Sequence, residues 1–399
     1  MAKAYFGGAD NKAVVAKKVY FGDASNLAVA VKKAYMGDAN GIAQLIYASG
    51  FSEIIELDAI EHDIANGTEN SLVQIDATHF ILAYTGPDSD GFIKTFSIDG
   101  SYNITEIDSL EHDTVDCRFN SLVKIDDTHF LLAYASTLLV GYIKTFSIDG
   151  SYNITELDSL QHESGYGAYN SLVKIDDTHF ILAYQGPSTD ASLTTFSIDG
   201  SYNITELHSL LHDSGNGAFN SLVKIDATHF ILAYSTTDNF GYIKTFSIDG
   251  SYNITEIDSL NYDSTYCQYC SLAKIDGTHY LLAYTGPDYD GFIKSFSIDG
   301  SFNIMEIDSL EYDTDTAEHN SLLMLDNEYA ILAYKGPLSD GFIKLFFIDG
   351  SYEITEIVSL EHDISDGQYN SLIKIDEEHV ILAHSGSGYD GYIKTFKLS

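Results

Sequence analysis

The sequence predicts an all-β fold, a seven-bladed β-propeller with four strands per blade, on three observations. A unit recurs at a fixed 50-residue step, typified by NSLVKIDDTHFLLAYASTLLVGYIKTFSIDGSYNITELDSLQHE at residues 120–163, and seven copies fill residues 51–399. Tyr102, Tyr152, Tyr202 and Tyr252 mark one position of the repeat, which Phe302 and Tyr352 continue. A period of this size with several short strands per unit is the mark of a propeller. Within each unit β-branched and aromatic residues alternate and no 3.6-residue stripe persists, which excludes a helical repeat. Finally, the last repeat ends at Ser399 with three strands, while residues 51–63 supply a spare fourth at the other end. Joining the two closes a ring, which leaves no free sheet faces.

Residues 1–50 stand apart as a small β-hairpin module. KAYFGGADNKAVVA, KKVYFGDASNLAVAV and KKAYMGDANGIAQLIY follow one another every 15 residues, with Tyr5, Tyr20 and Tyr35 in register. Each reads as strand, Gly-Asp-Ala-Asn-type turn, strand. Hairpins this small bury too little apolar surface to stand alone. They need one another, further copies of this chain, or another protein.

In the second unit the predicted strands are residues 121–126, 129–134, 141–149 and 154–162. HFLLAY at 129–134 is almost continuously apolar and suits a strand covered on both faces. ITELDSLQH at 154–162 is the most polar and suits the outer strand, whose free edge charge protects. The turn at 149–153 (DGSYN) contains the Gly that a tight turn favours. The connections then fall on two faces. The turns at 126–128 and 149–153 hardly vary between repeats. The loops after the Ala-Tyr pair (TGPDSD at 85–90, ASTLLV at 135–140, QGPSTD at 185–190, STTDNF at 235–240) and the interblade connections vary most, and they share the opposite face. Binding is usually carried by variable loops on a rigid scaffold. The ligand-contact candidates are therefore Asp88, Asp90, Asp113, Tyr166, Asp190, Asp238, Asp288, Tyr289, Asp290, Asp340, Tyr389 and Asp390.

Net charge is −39, unevenly placed. Residues 1–50 carry +3 and residues 51–399 carry −42. So acidic a ring repels nucleic acid and anionic membranes. No apolar run approaches the ~20 residues that span a bilayer, and residues 1–8 lack the apolar core of a secretion signal. Three cysteines (Cys117, Cys267, Cys270) are too few for a disulfide scaffold. Cys267-Gln-Tyr-Cys270 spells C-x-x-C without a second pair or histidines at metal spacing, so no metal and no cofactor is expected.

His62, His112, His162, His212 and His362 recur at the end of the fourth strand, with Tyr262 and Tyr312 in the other two units, and an acid always follows. A His-acid pair can act as base and orienter, but a catalytic centre needs different residues converging once. The expectation is structural: the acid caps loop amides. Asp-x-Asp-Gly at 88–91 and 288–291 opens like a calcium loop but lacks its later ligands, so it reads as a turn. With its acids in sevenfold repeats, the chain is expected not to be an enzyme.

Lys17-Lys18-Val19-Tyr20-Phe21-Gly22 and Lys32-Lys33-Ala34-Tyr35-Met36-Gly37-Asp38-Ala39-Asn40-Gly41 carry a resemblance. Tandem KKxYxGDANGxAxxxY segments are similar to those near the start of virion proteins of tailed bacteriophages, including tail, baseplate and fibre components. The first copy departs from the pattern, with Gly8 where Asp23 and Asp38 stand in the others. The resemblance implies a virion structural protein made in the host cytoplasm. It would be anchored to other virion proteins through Tyr5, Lys17, Lys18, Tyr20, Lys32, Lys33 and Tyr35, and would display its propeller to a host-surface glycan or protein. The NSLVKID…ILAY…DGFIKTFSID pattern resembles propeller repeats of uncharacterised proteins and implies no activity. The alternative is a multivalent lectin, with weak sugar sites between blades that gain by avidity.

Overall fold

The structure, a computed structural model, describes residues 20–22, 28–30, 33–37, 43–48, 50–215, 217–236 and 238–399. By contact the chain divides into two compact units, Met1–Ile54 with Leu398–Ser399, and Ile55–Lys397. In the first, Tyr20–Gly22 pairs antiparallel with Ala28–Ala30, and Lys33–Gly37 with Ala43–Ala48. Of the expected anchoring residues, Tyr20, Lys33 and Tyr35 stand on these strands. Tyr5, Lys17, Lys18 and Lys32 lie outside the described residues.

The repeats form seven antiparallel four-stranded sheets. The first blade runs Thr68–Gln74, His79–Thr85, Gly91–Ile98, Ile104–Asp113 from axis to rim. The seventh is Gln368–Lys374, His379–Ser385 and Gly391–Leu398, completed at its rim by Ile54–Asp63. Blade count, phase and closing strand are therefore as the repeat predicts. Strand boundaries in the second unit shift by one to three residues, most at the start of the inner strand. The inner strand of the second blade is Arg118–Lys124, beginning earlier than residue 121, because its pairing resumes across a register shift between Arg118 and Ser121.

The second strand of each blade is covered on both faces: Ile81, Leu82, Ala83 and Tyr84 are fully buried. The core is not one body but a series of interblade layers. Ile81, Ala83 and Ile93 of the first blade pack with Phe130, Leu132, Tyr134 and Phe146 of the second. Ile381, Ala383 and Ile393 pack likewise with Leu72, Phe80 and Leu82 across the closure.

Side chains join the blades where no ladder does. Inner strands of adjacent blades leave edge amides that need partners once buried. Ser71 Oγ accepts the Leu122 amide at 2.9 Å, and the same bond recurs at every interface, including Leu72 N–H to Ser371 Oγ at 3.0 Å across the closure. The preceding residue adds a second bond: Asn120 Nδ2 donates to the Glu69 carbonyl at 3.1 Å, and Asn70 Nδ2 to that of Tyr369 at 3.2 Å. Further out, Asp108 Oδ2 accepts the Ile154 amide at 2.7 Å. On the tight-turn face Tyr152 donates to Asp76 Oδ2 at 2.7 Å and stacks on His79 with centroids 3.7 Å apart. The polar outer strand is thus more than a blunted edge. Asp158 holds the next blade through the Ile204 amide, and Glu156 pairs at 3.0 Å with the buried amine of Lys144.

Ser121→Ala should leave the Leu172 amide buried without its acceptor, at a cost of about 1–3 kcal/mol. The expected result is a clearly lower urea midpoint, whereas Ser151→Ala, at an exposed turn, leaves it unchanged. Equal midpoints for the two variants would show that the serine bonds do not hold the blades.

Candidate functional site

One residue before each inner Asn, or before Cys270 in the fifth blade, the backbone turns left-handed in all seven blades. Glu69, Phe119, Tyr169, Phe219, Tyr269, His319 and Tyr369 have φ between 49° and 57°. For an L residue this costs about 1–2 kcal/mol, and glycine, which would avoid the cost, is used in none of them. The turn coincides with the register shift of the inner strand and sets these side chains around the axis. With the Asn residues and Cys270 they line a cavity of about 180 Å³. Six rings form a continuous arc, with centroids 4.3 Å apart for Phe119–Tyr169, 4.7 Å for Tyr169–Phe219, 4.6 Å for Phe219–Tyr269, 4.4 Å for Tyr269–His319 and 4.3 Å for His319–Tyr369. Glu69 fills the gap between its ends.

Glu69 is the one acid in the collar. Burial pushes its carboxyl up to about 7, against the opposing pull of the Phe119 amide, which donates to it at 3.3 Å, and of Arg118. The Arg118 guanidinium itself is bonded to Asp116 at 3.0 Å. Burial and then the Glu69 charge raise the Tyr169 phenol; burial, then Glu318, raises Tyr269. His319 is lowered to about 3 by burial and by Lys335, so it is neutral at ordinary pH.

The channel mouth and the variable loops share one face, since Thr68 pairs with Thr85 and Gly91 with Asp113. Six of the seven variable loops are short 3₁₀ turns whose second residue is left-handed: Asp88 (φ 56°), Leu138 (60°), Ser188 (61°), Asp288 (59°), Leu338 (60°) and Gly388 (76°). Leu138 and Leu338 are 84% and 91% exposed. Ile64, Val115, Tyr166, Tyr289, Tyr389 and Ile364 are exposed on the same face.

Of the predicted contact residues, Asp88, Asp238 and Asp288 are exposed at loop tips, as are Tyr166, Tyr289 and Tyr389 beside them. Asp90, Asp190, Asp290, Asp340 and Asp390 are half-buried and close their turns, each carbonyl accepting the amide of the Gly four residues earlier. Asp113 faces inward, accepting the Tyr134 hydroxyl at 2.6 Å and the Val115 amide at 3.2 Å. Glu69 and the aromatic collar escaped the sequence reading. The signal was a column of Glu, Phe, Tyr, Phe, Tyr, His, Tyr directly before Asn-Ser, hidden at the end of a variable connection. Cys270 occupies the Asn position of its blade, its sulfur 3.3 Å from that of Cys267, and the Tyr262 hydroxyl contacts both. Among the described residues no group of three His, Cys, Asp or Glu is placed to hold a metal ion.

The His-acid pairs are not catalytic dyads in geometry. Asp63 receives the Ala65 amide at 3.0 Å and the Tyr84 hydroxyl at 3.0 Å. His62 lies edge-on to Tyr84 with both ring nitrogens buried and without a hydrogen-bond partner. Burial lowers His62, His112 and His212 to about 3 and His162 to about 4. Where Tyr312 replaces histidine, its hydroxyl donates to Asn320 Oδ1 at 2.6 Å.

No known protein family and no curated protein matches the sequence. Among solved structures the chain is similar to a protein from Lactobacillus plantarum (13% identity, 82% of this chain and 91% of that one, TM-score 0.57). It is similar also to the periplasmic gluconolactonase of Pseudomonas aeruginosa (13%, 82% and 92%, 0.57) and to Sqt1 from Chaetomium thermophilum (12%, 83% and 83%, 0.54). At such identity the likeness shows the fold alone. The expectation that this chain is not an enzyme is corrected to that extent: a named enzyme shares the architecture, so the fold does not exclude catalysis. The reasoning behind that expectation also fails on the structure, since Glu69 is an unrepeated acid at the axis.

His162 is held neutral, so the unfolded chain binds its proton more readily. The stability this group contributes is present above its unfolded value near 6.5 and is lost as pH falls towards 4. His162→Tyr, copying Tyr312, should fold and show a smaller drop in Tm between pH 7 and pH 5 than the parent. An identical drop would mean that His162 is not buried neutral.

Proposed function

We propose that the chain is an adhesion and display component of a tailed-bacteriophage particle, attached through residues 1–50 and presenting the loop face of its propeller to a host-surface protein or glycan. The observation that carries this reading is the placement of Leu138 and Leu338. Bulky apolar residues are 84% and 91% exposed on tips whose backbone favours glycine. Neither burial nor local conformation accounts for them, and strained, exposed apolar residues on one face are what a contact surface requires. Tyr166, Tyr289 and Tyr389 add amphipathic area suited to protein or sugar contact. The virion setting is supported by the resemblance of the KKxYxGDANGxA segments.

The lectin reading has less support. The cleft between the first two blades is lined by Asp76, Lys124, Asp127 and Tyr152. There Asp76 is already committed to Thr78, His79 and Tyr152.

Soluble full-length chain should compete with particles for adsorption, and Leu138→Asp with Leu338→Asp should abolish competition without lowering Tm. Absence of the chain from purified particles would overturn the virion setting. Undiminished competition by the double variant would overturn the role of the loop tips.

A further inference from the structure

We infer that the axial channel is a binding site for a small organic cation, an amine or methylated ammonium ion, with Glu69 as its counter-charge and the aromatic collar as its wall. The site does not depend on what the loop tips bind. The axis is where all seven repeats converge, so a residue that differs there defines a position that sevenfold repetition cannot. Six blades place a ring at the collar and one places a carboxylate. Aromatic faces attract cations through their quadrupole, the more so when water is partly excluded. The cavity is far larger than one water needs.

The charges nearby narrow the ligand. Glu69 accepts one long hydrogen bond, from the Phe119 amide at 3.3 Å. The neighbouring cations are engaged elsewhere, Arg118 with Asp116 at 3.0 Å and Lys335 with Glu318 at 3.1 Å. The remaining titratable groups facing the channel are His319, held neutral, the phenols of Tyr169, Tyr269 and Tyr369, and the Cys270 thiol, which contacts the Tyr262 hydroxyl. A partly desolvated carboxylate therefore lines a cavity walled by aromatic rings and asparagines, with no cationic side chain among its lining residues, which favours an incoming positive charge. The acidic ring draws cations towards its mouths.

A hard divalent ion fits poorly. It is usually held by several carboxylate and carbonyl oxygens, and Glu69 is the one acid in the lining. Asn320 Oδ1 already accepts the Tyr312 hydroxyl and Asn120 Oδ1 the Cys117 thiol. The oxygens of Asn70, Asn170, Asn220 and Asn370 are buried without a hydrogen-bond partner, and Glu69 is the one carboxylate beside them. One carboxylate among aromatic faces is a site for a soft, weakly hydrated cation.

The test is calorimetric titration of the full-length chain with choline, with its uncharged carbon isostere 3,3-dimethylbutan-1-ol, and with calcium chloride. Choline should bind with one site per chain and the isostere at least tenfold more weakly. Glu69→Gln should lose at least tenfold in choline affinity and Phe219→Leu severalfold. Because the Glu69 carboxyl ionises near 7, choline affinity should be higher at pH 8.5 than at pH 5.5. Glu69→Gln should also melt no lower than the parent at pH 8.5, since a raised carboxyl costs the folded state stability above its unfolded value. If that variant does not fold, the choline–isostere comparison and Phe219→Leu decide. No choline binding, equal binding of the isostere, or a calcium site lost with Glu69 would each overturn the inference.

Discussion

Everything in this propeller depends on a serine hydroxyl that accepts a backbone amide from the next blade. Inner strands converge on the axis with no room for a turn or helix between them, and their edges present amides to neighbours rather than to water. The bond from Leu122 to Ser71, repeated at seven interfaces, satisfies those amides. The Asn beside it ties the neighbouring carbonyl, except at Cys270, where a thiol pair takes the place. Because the ring is closed by a strand from the other end of the repeats, these interfaces reinforce one another, and no blade is terminal.

The same junction creates the channel. The Asn amide reaches the carbonyl of a residue held in left-handed backbone, which points that residue's side chain towards the axis. What the blade gains in joining, it offsets against local strain, and it places an aromatic ring where glycine would be easier. A collar so made is aromatic in six blades, and the single carboxylate of Glu69 stands out in it electrostatically as well as in symmetry. The loop tips follow a parallel logic. Leu138 and Leu338 occupy conformations glycine would fill more readily, on the face onto which the channel opens.

The architecture was legible in the sequence because propeller geometry is periodic. The 50-residue step fixed the count, the continuous apolar HFILAY-type run marked the doubly covered strand, and the spare strand at residues 51–63 fixed the phase. Polar residues were harder to place. Asp158 and Glu156 read as edge protection, yet one holds the next blade and the other neutralises a buried lysine, and partners 46 or 12 residues away leave no local pattern. Asn-Ser read as a strand start, although it is the junction between blades. Glu69 was hidden for the opposite reason. It breaks the repeat, and in a variable connection a break looks like loop divergence until the backbone shows that its column lines the axis. Asp113 read as a loop acid, but its carboxylate serves the Tyr134 hydroxyl.

Glu69 is a partly desolvated carboxylate at the axis, a state that can be measured directly. Carbon-13 NMR titration of the chain labelled at glutamate side-chain carboxyls, with the resonance assigned by its loss in Glu69→Gln, gives the ionisation of this group alone. The structure predicts a midpoint near 7. A midpoint in the ordinary range near 4.5 would show a fully hydrated carboxylate, and the channel would then be an open solvent passage without a site.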